Sequence, residues 1–308
     1  MELYKSRTFG DFFSDSFAFF KQNGKHFFKN YFIINGVFIL AFIAVLFMGF
    51  YFFGDFLGLS GVQASGVDFD HFANENAGVF ILLFSLMVII ITLMSVINYT
   101  FTPFYLKLYE AKGKDFSTKD IIDTYKQNLG KVIIFVLVCI LLMIPTVIAA
   151  AIPYLILMFT FVGIYWMVGI IMFIYNGAFL EYINSKKGVF ESFGYSITLI
   201  FGKKFWHASG AIWLYYLMVS FIIAIPIVIL YFFFIISIIT EKNFDENPVA
   251  NPMFLIALIV VYALILLMAV IANNFIQLNQ GIVYYSLKEE KENINTKSII
   301  DEIGTSTE

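Results

Sequence analysis

The stretch FFKQNGKHFFKNYFIING (Phe19–Gly36) changes character halfway along. Its first half carries Lys21, Lys25, His26 and Lys29, and its second half opens the apolar run Tyr31–Phe53. Similar text returns as YKQNLGKVIIF (Tyr125–Phe135), again at the start of an apolar run. A hydrocarbon core about 30 Å thick needs roughly 20 apolar residues as helix. Six runs meet that length: Tyr31–Phe53, Val79–Phe104, Val132–Ala151, Tyr154–Tyr182, Ala208–Ile239 and Met253–Tyr285. The segment AAAIPYL (Ala149–Leu155) separates the third from the fourth, and Pro153 marks the expected hairpin turn.

Composition agrees. Of 308 residues, 60% are hydrophobic and 13% charged, with a mean hydropathy of +0.85. Soluble domains run near half apolar and a quarter charged. The expected fold class is therefore all-α: a polytopic membrane protein with six transmembrane helices. A net charge of −3 excludes general nucleic-acid binding. The one cysteine, Cys139, excludes an intrachain disulfide and reads as a packing residue. About 30 mostly polar residues precede the first run, so a cleavable signal is not expected. Eighteen lysines to one arginine, with abundant Phe and Ile, match the bias of an AT-rich bacterial genome.

Lysine and arginine set orientation. Segments 1–30, 105–131, 183–207 and 286–308 hold 5, 6, 4 and 3 of them, and the intervening outer segments hold only Lys242. Six spans demand the same alternation, so both termini are expected in the cytoplasm of a bacterial plasma (inner) membrane. The first outer loop carries Asp55, Asp68, Asp70 and Glu75.

The opening junction occurs three times. In FGDFFSDSFAFF, Phe9, Phe12, Phe13, Phe17 and Phe20 fall at helical spacing; in FSTKDIIDT and after, Ile121, Ile122, Tyr125 and Leu129 do. The third stripe is Phe190, Phe193, Ile197 and Phe201. Each is followed by a Gly-Lys pair: Gly24-Lys25, Gly130-Lys131 and Gly202-Lys203. Glycine suits a helix C-terminus and lysine suits its negative end. The pattern predicts an amphipathic interfacial helix, an elbow at Lys25, Lys131 or Lys203, then a hairpin of spans. The repeat units run approximately 8–110, 117–185 and 189–290 within one transmembrane domain, with a cytoplasmic tail over 291–308. Ser117 with Asp120 resembles a capping box, and STKDIID (Ser117–Asp123) returns as NTKSIID (Asn295–Asp301).

Polar residues collect at the cytoplasmic ends of the even-numbered spans. The candidate set is Asn98, Asn176, Glu181, Asn273, Asn274 and Gln277, with Asn279 and Gln280 beyond. Two readings stand. These residues line a polar cavity open to the cytoplasm, for a lipid headgroup or small solute, or they hydrogen-bond neighbouring helices. Glu181 is either a functional intramembrane carboxylate or a headgroup-level charge beside Lys186 and Lys187. The histidines, His26, His71 and His207, lie near span ends or in the outer loop. Asp68, Asp70, His71 and Glu75 lack EF-hand spacing, so no metal site is expected. H-E-x-x-H, G-x-S-x-G and Walker A patterns are absent from the sequence. No enzyme activity and no cofactor are expected.

On SFAFFKQNGKHFF (Ser16–Phe28), DTYKQNLGKVI (Asp123–Ile133) and SITLIFGKKFW (Ser196–Trp206), the chain resembles bacterial six-span proteins related to the membrane domain of some glycerophosphoryl diester phosphodiesterases. It also resembles hypothetical membrane proteins of flavobacteria. The resemblance implies a repeated helix-before-span layout. The soluble phosphodiesterase domain, with its histidines and metal-binding carboxylates, has no counterpart here, so no activity or functional residue carries over. The expected function is a non-enzymatic membrane scaffold or accessory subunit engaging lipid or a partner membrane protein. The alternative is a small-solute or lipid transporter.

Overall fold

The computed structural model describes residues 1–53, 69–240 and 252–295. The acidic outer-loop residues Asp55 and Asp68, the NTKSIID echo beyond Asn295 and most of the tail lie outside them. The described residues form α1 (Phe9–Phe53), α2 (Phe69–Lys112), α3 (Thr118–Met158), α4 (Phe161–Asn184), α5 (Val189–Ile200), α6 (Phe205–Thr240) and α7 (Pro252–Glu292). They include no strand. All but α5 contain a stretch long and apolar enough to cross a membrane. The chain is a polytopic all-α membrane protein.

The helices outrun the spans read from hydropathy. α1 has 45 residues, about 68 Å at about 1.5 Å per residue, over twice a hydrocarbon core. It passes through Gly24-Lys25 without a break, and α3 passes through Gly130-Lys131 in the same way. Lys25 and Lys131, expected as elbows that end a helix, therefore lie inside continuous helices. Among the described glycines only Gly113 has a positive φ. A helical glycine costs about 1 kcal/mol, which tertiary packing on either side outweighs: Phe19, Phe27 and Tyr31 are fully buried around Gly24. Only Gly202-Lys203 turns the chain, between α5 and α6.

The α3–α4 turn also differs from expectation. Pro153 lies inside α3, and the chain turns at Phe159-Thr160. There the Thr160 N–H (2.9 Å) and hydroxyl (3.0 Å) both donate to the Leu157 carbonyl, and Gly163 N–H donates to the Thr160 carbonyl at 2.7 Å. Proline breaks one helical hydrogen bond, a loss that membrane helices absorb.

The chain divides into two units. The first comprises Met1–Tyr31, Tyr99–Ser220 and Asn273–Glu308; the second comprises Phe32–Asn98 and Phe221–Ala272. In the second, Phe42, Val45 and Ile90 form a small buried cluster, packed by Met87, Ile91 and Leu266. Val37, Leu40, Leu82 and Phe84 stay exposed there. Water would penalise such a surface and lipid would not.

In the first unit the opening half of α1 runs antiparallel to the closing half of α2. Ring centroids of Phe19 and Tyr109 are 5.0 Å apart, Phe27 and Tyr105 4.7 Å, Tyr31 and Phe101 5.1 Å. The buried face is Phe12, Ser16, Phe19, Asn23 and Phe27, while Phe9 and Phe17 are exposed. The buried stripe is thus rotated from the expected phenylalanine stripe, because the aromatic wall of α2 selects the face. α3, α4 and α5 pack together, with Phe135 stacked on Phe193 at 5.5 Å and edge-on to Phe179 at 4.9 Å. Phe193 therefore leaves its expected stripe for the core, while Phe190, Ile197 and Phe201 remain exposed.

Two helix starts share one device. Asp11 accepts from the Thr8 N–H (2.8 Å) and hydroxyl (2.7 Å), and Asp120 accepts from the Ser117 N–H (2.8 Å) and hydroxyl (2.7 Å). Each satisfies a donor at a helix N-terminus and places negative charge at its positive end.

Candidate functional site

The site lies in the first unit, where the ends of α4 and α7 bring charged residues together beside Tyr195 of α5. Glu181, one turn before the end of α4, is 1% exposed. Its Oε1 accepts from Lys187 Nζ at 2.7 Å. Its Oε2 accepts from Lys288 Nζ at 2.8 Å and from the Tyr284 hydroxyl. Tyr284 and Lys288 stand four residues apart on α7, on one helix face. A buried carboxylate is tolerated only when paired and hydrogen-bonded, and three donors meet that condition. Glu181 is thus a fully paired carboxylate, with Lys187, one of its two expected neighbours, bonded to it. Lys186, its other expected neighbour, is exposed.

Tyr195 on α5 extends the cluster. Lys187 Nζ sits 3.5 Å from its ring centroid and Lys291 Nζ 4.5 Å from it, within cation–π range. Its hydroxyl donates to Glu292. Burial, and then the Glu292 carboxylate, push the Tyr195 hydroxyl well above the ordinary tyrosine range. It is a neutral donor at physiological pH.

Two further lysines close the end of α4. Lys107 Nζ donates to the Ile183 carbonyl at 2.6 Å and Lys131 Nζ to the Tyr182 carbonyl at 3.0 Å. These carbonyls are the orphan acceptors of a helix C-terminus, at its negative end. Lys131, expected as an elbow, caps α4 instead. Lys25 and Lys203 are exposed.

The N-terminal segment packs on the same unit. Arg7, fully buried, donates through Nε to Asp15 (2.8 Å), through Nη1 to the Leu3 carbonyl (2.7 Å) and through Nη2 to the Glu2 carbonyl (2.7 Å). Tyr4 meets Tyr285 edge-on at 5.0 Å. Tyr285 receives a hydrogen bond from Asn184 (3.1 Å) and donates to Glu110 (3.3 Å).

A band of amides completes the unit. Asn176 Nδ2 donates to the Gln277 carbonyl (3.3 Å) and to Gln280 Oε1 (3.2 Å). Thr102 donates to Asn274 Oδ1 at 3.0 Å. Asn279 Nδ2 donates to Ser16 Oγ at 3.0 Å and the Phe12 carbonyl at 3.2 Å. Of the candidate residues, Asn176, Glu181, Asn274 and Gln277 are buried here and Asn273 is half-buried. Asn98 is half-buried and belongs to the second unit. His26 bridges the Tyr105 hydroxyl (2.8 Å) and the Phe116 carbonyl (2.9 Å), a bracing role.

Sequence reasoning did not find Tyr284, Lys288 or Tyr195 as parts of the cluster, nor Arg7 as the buried anchor of the N-terminal segment. Only the four-residue spacing of Tyr284 and Lys288 hinted at a shared face. Chemically, the arrangement holds one carboxylate fixed between two ammonium groups and a phenol. No family model matches the chain, and neither does any curated protein or solved structure.

Proposed function

We propose that this protein is a non-enzymatic membrane scaffold or accessory subunit that engages anionic lipid of the cytoplasmic leaflet, in a bacterial inner membrane, with both termini cytoplasmic. The observation that carries this reading is α5. Phe190, Ile197 and Phe201 form an exposed apolar ridge on it, continued by Trp206 at 74% exposure. Exposed Lys186 and Lys203 stand at its two ends. Apolar side chains at acyl depth flanked by lysines at phosphate depth are the chemistry of an interfacial helix. The saturated state of Glu181 supports a static role. The matching caps at Thr8/Asp11 and Ser117/Asp120 support the repeated-unit layout.

The test is native mass spectrometry of protein released from mixed phospholipid membranes. Anionic lipid should be retained preferentially, and the double variant Lys186→Gln/Lys203→Gln should lose it. Equal retention of zwitterionic and anionic lipid sinks the reading.

A second reading, passage of a small solute or lipid, is favoured by buried polar atoms without hydrogen-bond partners, including both of Asn23 and Asn176 Oδ1. It requires proteoliposome uptake or lipid scrambling that Asn176→Leu abolishes at unchanged protein level.

A further inference from the structure

Among the buried polar atoms of the first unit left without a protein partner are Asn176 Oδ1, Gln277 Oε1, Gln280 Nε2 and Ser196 Oγ. The residues are 2%, 4%, 2% and 0% exposed. The residues come from α4, α7 and α5. Asn176 is bonded to Gln280 and to the backbone of Gln277. Ser196 Oγ lies 2.5 Å from where a Cβ on Gly177 would stand, so the glycine beside Asn176 makes room for the hydroxyl. Gln277 and Gln280 are one turn apart on α7.

The orientation of the amides follows from one anchor. The Gln277 backbone carbonyl can only accept, so Asn176 must present Nδ2 to it. That same Nδ2 faces Gln280, which must therefore present Oε1. Asn176 Oδ1 and Gln280 Nε2 are then left over, one acceptor and one donor. Turning either amide over would set like against like. Buried amide atoms are almost always paired, with protein or with ordered water. A buried water makes about three hydrogen bonds and needs two to four polar partners.

We infer that Asn176, Gln280, Ser196 and Gln277 form a binding site for an ordered water molecule that joins α4 to α7. The water accepts from Gln280 Nε2 and donates to Asn176 Oδ1. Its remaining valences fall to Gln277 Oε1 and Ser196 Oγ. All four side chains are neutral, which matches a neutral ligand. A monovalent cation is disfavoured, because Gln280 turns amide hydrogens, not oxygen, toward the site. The site differs in kind from the Glu181 cluster, where two ammonium groups and a phenol satisfy the carboxylate. It stands whether or not α5 engages lipid.

The test is a density map of the full chain in nanodiscs, at a resolution that shows buried waters elsewhere. A peak within about 3.2 Å of both Asn176 Oδ1 and Gln280 Nε2 is expected. It should be lost in Gln280→Met, which removes the donor and keeps the Asn176 bond to the Gln277 backbone. A dry site beside visible buried waters elsewhere overturns the inference. So does a peak ringed by oxygens at metal-coordination distance, or one that survives Gln280→Met. The wild-type map decides the matter alone if the variant does not fold.

Discussion

Lys288 Nζ lies 2.8 Å from Glu181 Oε2, and the two side chains are 9% and 1% exposed. They are 107 residues apart in the chain. Their pairing ties the end of α4 to the end of α7 and makes each charge the condition for burying the other.

Removing one partner should therefore cost more than removing both. Lys288→Met leaves Glu181 with Lys187 as its only cation, so the loss should fall below the ~3–5 kcal/mol of a fully stranded buried charge. Thermal unfolding in detergent should show a clear fall in Tm, partly restored in Lys288→Met/Glu181→Gln. Equal losses in single and double variants would mean that the pair is not coupled.

Arg7 should not be replaceable by lysine. Its planar fork reaches Asp15 and two backbone carbonyls at once, whereas an ammonium is a point charge. Hydrogen bonds to charged groups are worth about 1.5–3 kcal/mol. In Arg7→Lys, amide exchange across residues 2–8 should quicken markedly, with helix interiors such as Phe135 unchanged.

Alkaline pH should loosen the first unit. The Tyr4 and Tyr195 hydroxyls are raised above the ordinary 10.0, first by burial and then by the carboxylates of Glu110 and Glu292 respectively. The folded state therefore holds these protons more tightly than the unfolded state. Their contribution is fully present below 10.0 and declines as pH rises above it. Tm measured from neutral pH upward should fall beyond that point, and less steeply in Tyr195→Phe. A slope identical in the variant would count against it.

Two glycines separate packing from helix propensity. A Cβ on Gly281 would run into Leu106 Cδ1, whereas one on Gly130 would meet nothing within 4 Å. Gly281→Ala should destabilise by about 1–3 kcal/mol through overpacking. Gly130→Ala should be neutral or stabilising by up to about 1 kcal/mol. A loss at Gly130 would show that the continuous α3 helix needs a hinge there.

Much of the fold was legible in the sequence, and the site was legible only in part. Asn176, Asn274 and Gln277 were identifiable because amides are rare in apolar runs. Glu181 stood out for the same reason. What surrounds it was not legible: Lys288 reads as an ordinary charge after the last span, and Arg7 as a polar residue before the first helix. Two of the three expected elbows, at Lys25 and Lys131, fall inside helices because glycine followed by lysine is equally compatible with a helix end and a helix interior. Packing against distant residues decides between them.

The sequence by itself determined that this is an all-α protein with six membrane-crossing helices. Span length and hydropathy are local quantities, summed over about 20 neighbouring residues. Only the tertiary structure decided which face of α1 is buried, where α3 turns into α4, and which cations hold Glu181. The buried face of α1 and the Lys288–Glu181 pair depend on side chains far away in the chain, whose positions no local pattern encodes.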